Sequence, residues 1–347
     1  MAGVSEARQR ANGLVAAKGV VAAGIELGVA AVLYTYRCTI ACRHCCFGCA
    51  GERPSVRMGT DQAVARLRAL HELGRAIHVA GGECMMYWDD LKAVLAAAPS
   101  EGAAPHFIET NCSFATDDDI VHERLEYLRA RGVAGILLSA DPYHQAFVPP
   151  ERFLRVRRLA REAFGPANVW CPNDSDEQIR AFADIARDEH RLREHVRARP
   201  PVLVGTAWED LRQYLDDYPL AEMPLDAGWR VRYRTPGCRP DFARETIWEI
   251  HIDPYDNLQT NCGVILGSAA ETTPAELMAR GPEAANEIVR LLAGGGPFAL
   301  AEMARTRHGF RIPPRAHSKC ALCYQARKFL RPHYPHILGP AEVYGGG

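Results

Sequence analysis

From residue 30 to residue 215 the chain alternates short apolar runs with longer amphipathic segments, and this rhythm limits the fold more than any other feature. Residues 30–36, 76–80, 106–110, 135–139, 167–171 and 201–204 are apolar runs of strand length. Between them lie segments with helical spacing. In one, Val64, Leu67, Leu70 and Leu73 follow an N-cap at Thr60 and end at Gly74. Others cover residues 117–131, closed by Gly132, and 150–164, closed by Gly165. Ser175 caps a further helix, and residues 208–215 form the next. Strands alternating with helices argue for βαβ units and a parallel sheet. Six such units are too few for a closed barrel of eight strands.

Three thiols follow the first run in the order Cys38-x3-Cys42-x2-Cys45. They fall in the loop at the C-terminal end of a strand, the edge where α/β folds collect ligands. Thiolates are soft ligands that suit zinc or iron–sulfur clusters. Three ligands on a four-iron cluster leave one iron open to a substrate. The alternative is a zinc knuckle with His44, Cys46 or Cys49 as fourth ligand. One strand and one helix later comes Gly81-Gly82-Glu83, where a glycine pair allows close backbone approach to a ligand.

Taken together, these motifs resemble the signature of the radical S-adenosylmethionine (SAM) enzymes. The resemblance implies that Cys38, Cys42 and Cys45 hold a [4Fe-4S] cluster whose open iron binds the amino and carboxylate groups of SAM. Reduction then yields methionine and a 5′-deoxyadenosyl radical that abstracts hydrogen from the substrate. Gly81, Gly82 and Glu83 resemble the family motif that contacts the SAM amino group, with Cys84 where Pro is usual. Asn111 stands in a Thr-Asn-Cys stretch where the family often shows Thr-Asn-Gly, and Ser139 is a further candidate for the SAM carboxylate or ribose. His44 precedes the third Cys, where an aromatic residue is usual. The implied fold is α/β: a partial (βα)6 TIM-type barrel over residues 30–225, its bottom capped by a helical segment, 1–29.

The rhythm changes from about Gly228. Residues 248–252 alternate, residues 253–257 read as a turn, and residues 258–261 lead to Cys262, which reads as a hairpin followed by a ligand. With Cys238 and the distant Cys320-x2-Cys323, four thiols lie in residues 226–347. This pattern resembles a shortened SPASM or twitch-like auxiliary domain, a small α+β unit carrying a second [4Fe-4S] cluster. Four thiolates suit zinc equally well.

At strand ends, Cys84 is a candidate hydrogen-atom donor, and Asp141 and His144 are candidates for substrate or ribose binding or, alternatively, helix capping. Glu109, inside a strand, is a candidate substrate anchor, while His251 reads as structural. Cys46 and Cys49 read as small residues of a buried loop. A net charge of -1 gives no electrostatic case for nucleic acid. No stretch approaches the ~20 apolar residues of a membrane span. With no secretion signal and twelve Cys, ligation in a reducing cytoplasm is the expected use of the thiols. The expected function is hydrogen abstraction from a small molecule (oxidation, epimerisation or rearrangement), with a flavodoxin- or ferredoxin-type reductant. A peptide-modifying enzyme is the alternative, and a zinc-stapled binding protein is the alternative of another class.

Overall fold

The computed structural model describes residues 18–171, 175–225, 237–260 and 262–345. The stretch before Lys18, the change of rhythm at Gly228 and the hairpin residue Asn261 lie outside them. The chain divides into two compact units. The first takes in residues up to Ile40, 55–187 and 248–255, and the second 41–54, 188–247 and the remainder from Asp256. The border expected near residue 225 therefore lies within the second unit.

The first unit runs α1 (Val20–Leu27), β1 (Val29–Leu33), α2 (Thr60–His71), β2 (Ala76–Ala80), α3 (Trp88–Ala97), β3 (Phe107–Thr110), α4 (Asp118–Ala130), β4 (Gly135–Leu138), α5 (Pro142–Gln145), α6 (Pro150–Phe164), β5 (Val169–Trp170), α7 (Asp176–Arg187) and β6 (Glu249–Ile252). All the strands are parallel, in the order β5-β4-β3-β2-β1-β6, as a partial barrel. The expected sixth strand at 201–204 is not one. Pro200 and Pro201 have no amide donor for a ladder. Its place in the count is taken by β6, which pairs in parallel with β1 on the side away from β2. Ile250 and Ile252 are fully buried there.

Register and period-two alternation sort the strand residues onto two faces. One carries Val29, Ala31, Ala76, His78, Phe107, Glu109, Leu137, Trp170, Glu249 and His251. The other carries Val32, Val79, Ile108, Ile136 and Ile252, with α2 against β1 and β2 and α6 against β4 and β5. Helix α1 covers the N-terminal end of the first, inner face, as the sequence leads one to expect of a capping segment. Its Val20 and Val21 are buried with Val29 and Phe107, and Ile25, Ala76, Leu137 and Trp170 pack against that cluster. Burying each Val stabilises the cap by about 1.5–3 kcal/mol. Asn168 Oδ1 accepts the Val20 amide at 2.9 Å, which satisfies a donor of the first turn.

The second unit holds α8 (Glu189–Ala198), α9 (Thr206–Leu211), α10 (Arg239–Phe242), β7 (Asn257–Thr260), β8 (Ile265–Ser268), α11 (Pro274–Arg280), α12 (Glu287–His308) and α13 (Lys319–Leu330). Strands β7 and β8 are the antiparallel hairpin of this unit, and Cys262 sits in the turn between them. Thr273 and Glu276 form a capping box that starts α11. Helix α12 breaks at Gly296, just before Pro297, and packs against α13. No helix among the described residues is long and apolar enough to cross a membrane.

Candidate active site and a second thiol site

Cys38 follows β1 by a few residues and is 6% exposed. The Gly81–Glu83 segment at the end of β2 is laid against its backbone: Gly82 N donates to Thr35 O at 2.7 Å and Glu83 N to Arg37 O at 3.1 Å. A Cβ on Gly82 would stand 2.0 Å from Arg37 O and 3.0 Å from Cys38 N, so only glycine fits. The close approach read from the sequence is thus, in the first instance, an approach to the cysteine loop itself. Gly81, at φ +134°, leads the chain into that contact.

Glu83 is 1% exposed and turns its carboxylate toward the end of β3. Its Oε1 accepts from Met85 N at 3.0 Å and from Thr110 Oγ1 at 3.0 Å, and its Oε2 from Asn111 N at 2.7 Å. Burial pushes its pKa up to about 7, against the pull of those hydrogen bonds. The carboxylate therefore ties the glycine motif to β3, a positioning role beside the cofactor contact implied by the sequence. Asn111 also points to the loop: its Nδ2 donates to Cys38 Sγ at 3.4 Å and to Thr39 Oγ1 at 3.1 Å. Cys112, standing where the family often has glycine, takes the left-handed φ of 60°.

Other candidates go elsewhere. Cys84 is fully buried and donates toward Glu109 O at 3.5 Å, and burial raises its thiol well above the usual range. It is packed as a structural thiol, not presented to a pocket as a hydrogen donor would be. Asp141 accepts from His144 N at 3.0 Å, capping α5, and lies 2.8 Å from His144 Nδ1. This is the capping alternative for the pair.

Ser139 belongs to a different cluster, on the inner face. Its Oγ donates to Glu109 Oε1 at 3.1 Å. His78 Nε2 lies 3.6 Å from Glu109 Oε2 and 3.8 Å from Glu249 Oε1. His251 Nε2 lies 2.9 Å from the same Glu249 oxygen. His78 and His251 flank Ala31 in register, and His78 stacks on Phe107 at 4.7 Å. The His78 Nδ1 is buried with no hydrogen-bond partner among the described residues. Only Glu109 of this cluster was singled out in the sequence for substrate. Strand register, which no local motif reports, brings in the rest.

Residues 41–54, with Cys42 and Cys45, belong to the second unit. Arg43 anchors them through Glu189 at 3.3 Å and Asp210 O at 3.2 Å. Thr206 N donates to Cys45 O at 2.9 Å, and a Cβ on Gly205 would stand 2.5 Å from that oxygen. Hydrogen bonds from Cys49, its side chain first and then its amide at 3.3 Å, hold the Cys45 thiol down to about 6. Cys49 thus favours the thiolate, the ligating form, a part not evident from the sequence. The donor chemistry fits an iron–sulfur cluster: thiols outside any disulfide, a hydrogen bond aimed at one sulfur, and an anionic tendency at another.

The distal thiols come together in the second unit. Helix α13 carries Cys320 and Cys323. Its Lys319 Nζ donates to Gly237 O at 3.3 Å, beside Cys238, and its Arg327 Nη1 donates to Cys262 O at 2.8 Å. Burial pushes the Cys238 thiol well up, with Cys323 and Cys320 adding to the rise and Lys319 opposing it. Burial likewise raises Cys323, against Arg327 and with Cys262 adding. The Arg327 Nε is buried without a partner among the described residues. A buried donor without a partner, close to Cys262 and Cys323, fits an anionic group at this place.

Residues 32–186 match the family described as the Radical SAM superfamily. No curated protein gives a match. Among solved structures, the crystal structure of BtrN in complex with AdoMet and 2-DOIA is similar over 78% of this chain and 88% of that one, at 13% identity and TM-score 0.41. The crystal structure of Streptococcus suis SuiB bound to S-adenosylmethionine is similar over 72% of this chain and 65% of that one, at 12% identity and TM-score 0.32. The cysteine loop, the glycine motif laid against it and the family match converge on one region: residues 32–186 match the radical SAM superfamily, whose cofactors are a [4Fe-4S] cluster and S-adenosylmethionine.

Proposed function

We propose that this radical SAM enzyme takes hydrogen from a small polar molecule bearing amine or hydroxyl groups and oxidises it by two electrons. The observation that carries this reading is the cluster of His78, Glu109, Glu249 and His251 on the inner face. Two carboxylates and two imidazoles amid Val, Ala, Leu and Phe are costly to bury, and apolar residues would stabilise the sheet better. A ligand with N–H or O–H donors finds acceptors there. Glu109 is the most accessible member, its side chain 37% exposed, and Ser139 holds one of its oxygens.

When bound, the cluster and SAM supply a one-electron route to a carbon radical able to take a hydrogen atom from an unactivated C–H bond. The chain contributes orientation and a proton acceptor. Glu109 or Glu249, hydrogen-bonded to the hydroxyl or amine on the reacting carbon, receives the proton as the second electron leaves. That electron needs an acceptor, a role suited to a redox-active centre on the distal thiols. A flavodoxin- or ferredoxin-type donor would supply the first electron.

The test is anaerobically reconstituted protein with SAM and dithionite, with 5′-deoxyadenosine counted in the presence of amino and hydroxylated small molecules and, separately, of peptides. We expect small molecules to raise 5′-deoxyadenosine, with one formed per oxidised product, and Glu109→Gln to weaken that response while SAM binding is unchanged. Stimulation by peptides alone, or a Glu109→Gln enzyme indistinguishable from the parent, would overturn the reading.

A further inference from the structure

Helix α13 buries two cations beside two cysteines. Lys319 and Arg327 are each 1% exposed. Arg327 lies one helical turn after Cys323, on the same side of the helix. Its guanidinium donates to Cys262 O and, at 3.1 Å, to Tyr344 Oη, and lies 5.9 Å and 5.7 Å from the ring centroids of Tyr324 and Tyr344. No carboxylate pairs with Arg327 among the described residues. Arginine does not shed its proton to escape burial, so a buried guanidinium calls for an anion nearby. The groups placed to supply one are the cysteines beside it, Cys262 through its carbonyl contact and Cys323 one turn back on the same helix.

We infer that Arg327 is the built-in counter-charge of a closed centre ligated by Cys238, Cys262, Cys320 and Cys323, and that it sets the charge this centre can carry. The inference rests on the reading that these four thiols hold a cluster, and it goes further in saying which residue makes that cluster reducible. Four thiolates around a [4Fe-4S]2+ core, or around Zn2+, leave a net charge of −2. Arg327 and Lys319 offset that charge within the protein. One-electron reduction adds a further negative charge, so a fixed cation at this distance favours the reduced form. With all four positions filled by protein, the centre exchanges electrons and does not bind substrate.

The experiment uses the full chain, reconstituted anaerobically, as parent, Arg327→Gln, Arg327→Lys and the double variant Cys320→Ser/Cys323→Ser. Iron, sulfide and zinc per chain are measured, followed by a redox titration monitored by electron paramagnetic resonance. The couple absent from the double variant is the distal one. In Arg327→Gln we expect that couple to shift negative by at least tenfold in its reduced-to-oxidised ratio, about 59 mV for one electron. The other couple should stay in place, and Arg327→Lys, which keeps the charge, should stay near the parent. A distal couple that does not move in Arg327→Gln overturns the counter-charge and leaves the four-thiol site standing. If Arg327→Gln does not fold, the Lys319→Gln variant carries the same test, with a smaller negative shift expected and no shift overturning the inference. A double variant that loses neither iron nor zinc removes the site and the inference together. If the site holds zinc, the electron-outlet reading fails. The counter-charge is then tested by chelator: Arg327→Gln should lose zinc about tenfold faster than Arg327→Lys, and equal rates would overturn it.

Discussion

The two groups of cysteines are built in opposite ways. Cys38, Cys42 and Cys45 lie within a single short loop, so chain connectivity alone brings them near one another. The surrounding structure refines that loop from outside, through Gly82 and Asn111 at Cys38 and through Gly205 and Cys49 at Cys45. Cys238, Cys262, Cys320 and Cys323 come from a helix start, a hairpin turn and a later helix. Only Cys320 and Cys323 are local to one another, and two buried cations on α13 join that pair to the segments of Cys238 and Cys262. A local ligand set can tolerate loss of an outside support, whereas a set assembled by tertiary contacts depends on each of them.

The comparison breaks first at the ligands. Cys42→Ser should leave no 5′-deoxyadenosine above background, because an incomplete thiolate set cannot present the open iron. Cys323→Ser should leave SAM cleavage running while oxidised product disappears. Chromatography of both products in one assay checks this, and equal loss in the two variants would mean that the sites do not work separately.

Next come the glycines that press on the loop. Gly82→Ala puts a methyl against a backbone oxygen that cannot step aside, and should cost on the order of 3 kcal/mol, read as a fall in the melting temperature of the metal-free protein. Gly205→Ala tests the other side, with a clash 2.5 Å from Cys45 O. The loop argument expects both to lower iron incorporation, Gly82→Ala more.

The third prediction concerns pH. The pKa of Glu83 rises from 4.5 to about 7 in the fold, so the native protein holds a proton that the unfolded chain gives up in that window. Its contribution to stability is fully present below pH 4.5 and is lost as pH rises through 7, on the order of 3 kcal/mol at most. Denaturant titrations across this range should show that slope, and Glu83→Gln should flatten it. A slope unchanged by the substitution would place the proton elsewhere. The smallest effect is expected from Asn111→Ala. Loss of one N–H···S bond to Cys38, worth about 1 kcal/mol, should shift the potential of the SAM-binding cluster slightly negative without changing iron content.

Much of this was legible in the chain. The run at 76–80 and the helix at 150–164 have the bounds read from apolar spacing, and the other early strands fall within a few residues of theirs. Each is fixed by its own periodicity and flanking glycines. The run at 248–252 was legible as a strand, but its pairing with β1 was not, because β1 is more than two hundred residues away and the alternation of Glu249 and His251 with Ile looks half-exposed. The polar residues are buried on the inner face instead. The same blindness hid the site: Glu83, Asn111 and the cysteine triad stand in short motifs, but the grouping of His78 with Glu249 and His251 exists only through register. Arg327 gave no signal either, since a basic residue near a helix end reads as solvated until its burial is known.

The plug formed by α1 closes the inner face at its N-terminal end. A molecule that reaches His78 and Glu109 passes the strand ends on its way in and leaves by the same route. Whatever lies deepest must arrive first and depart last.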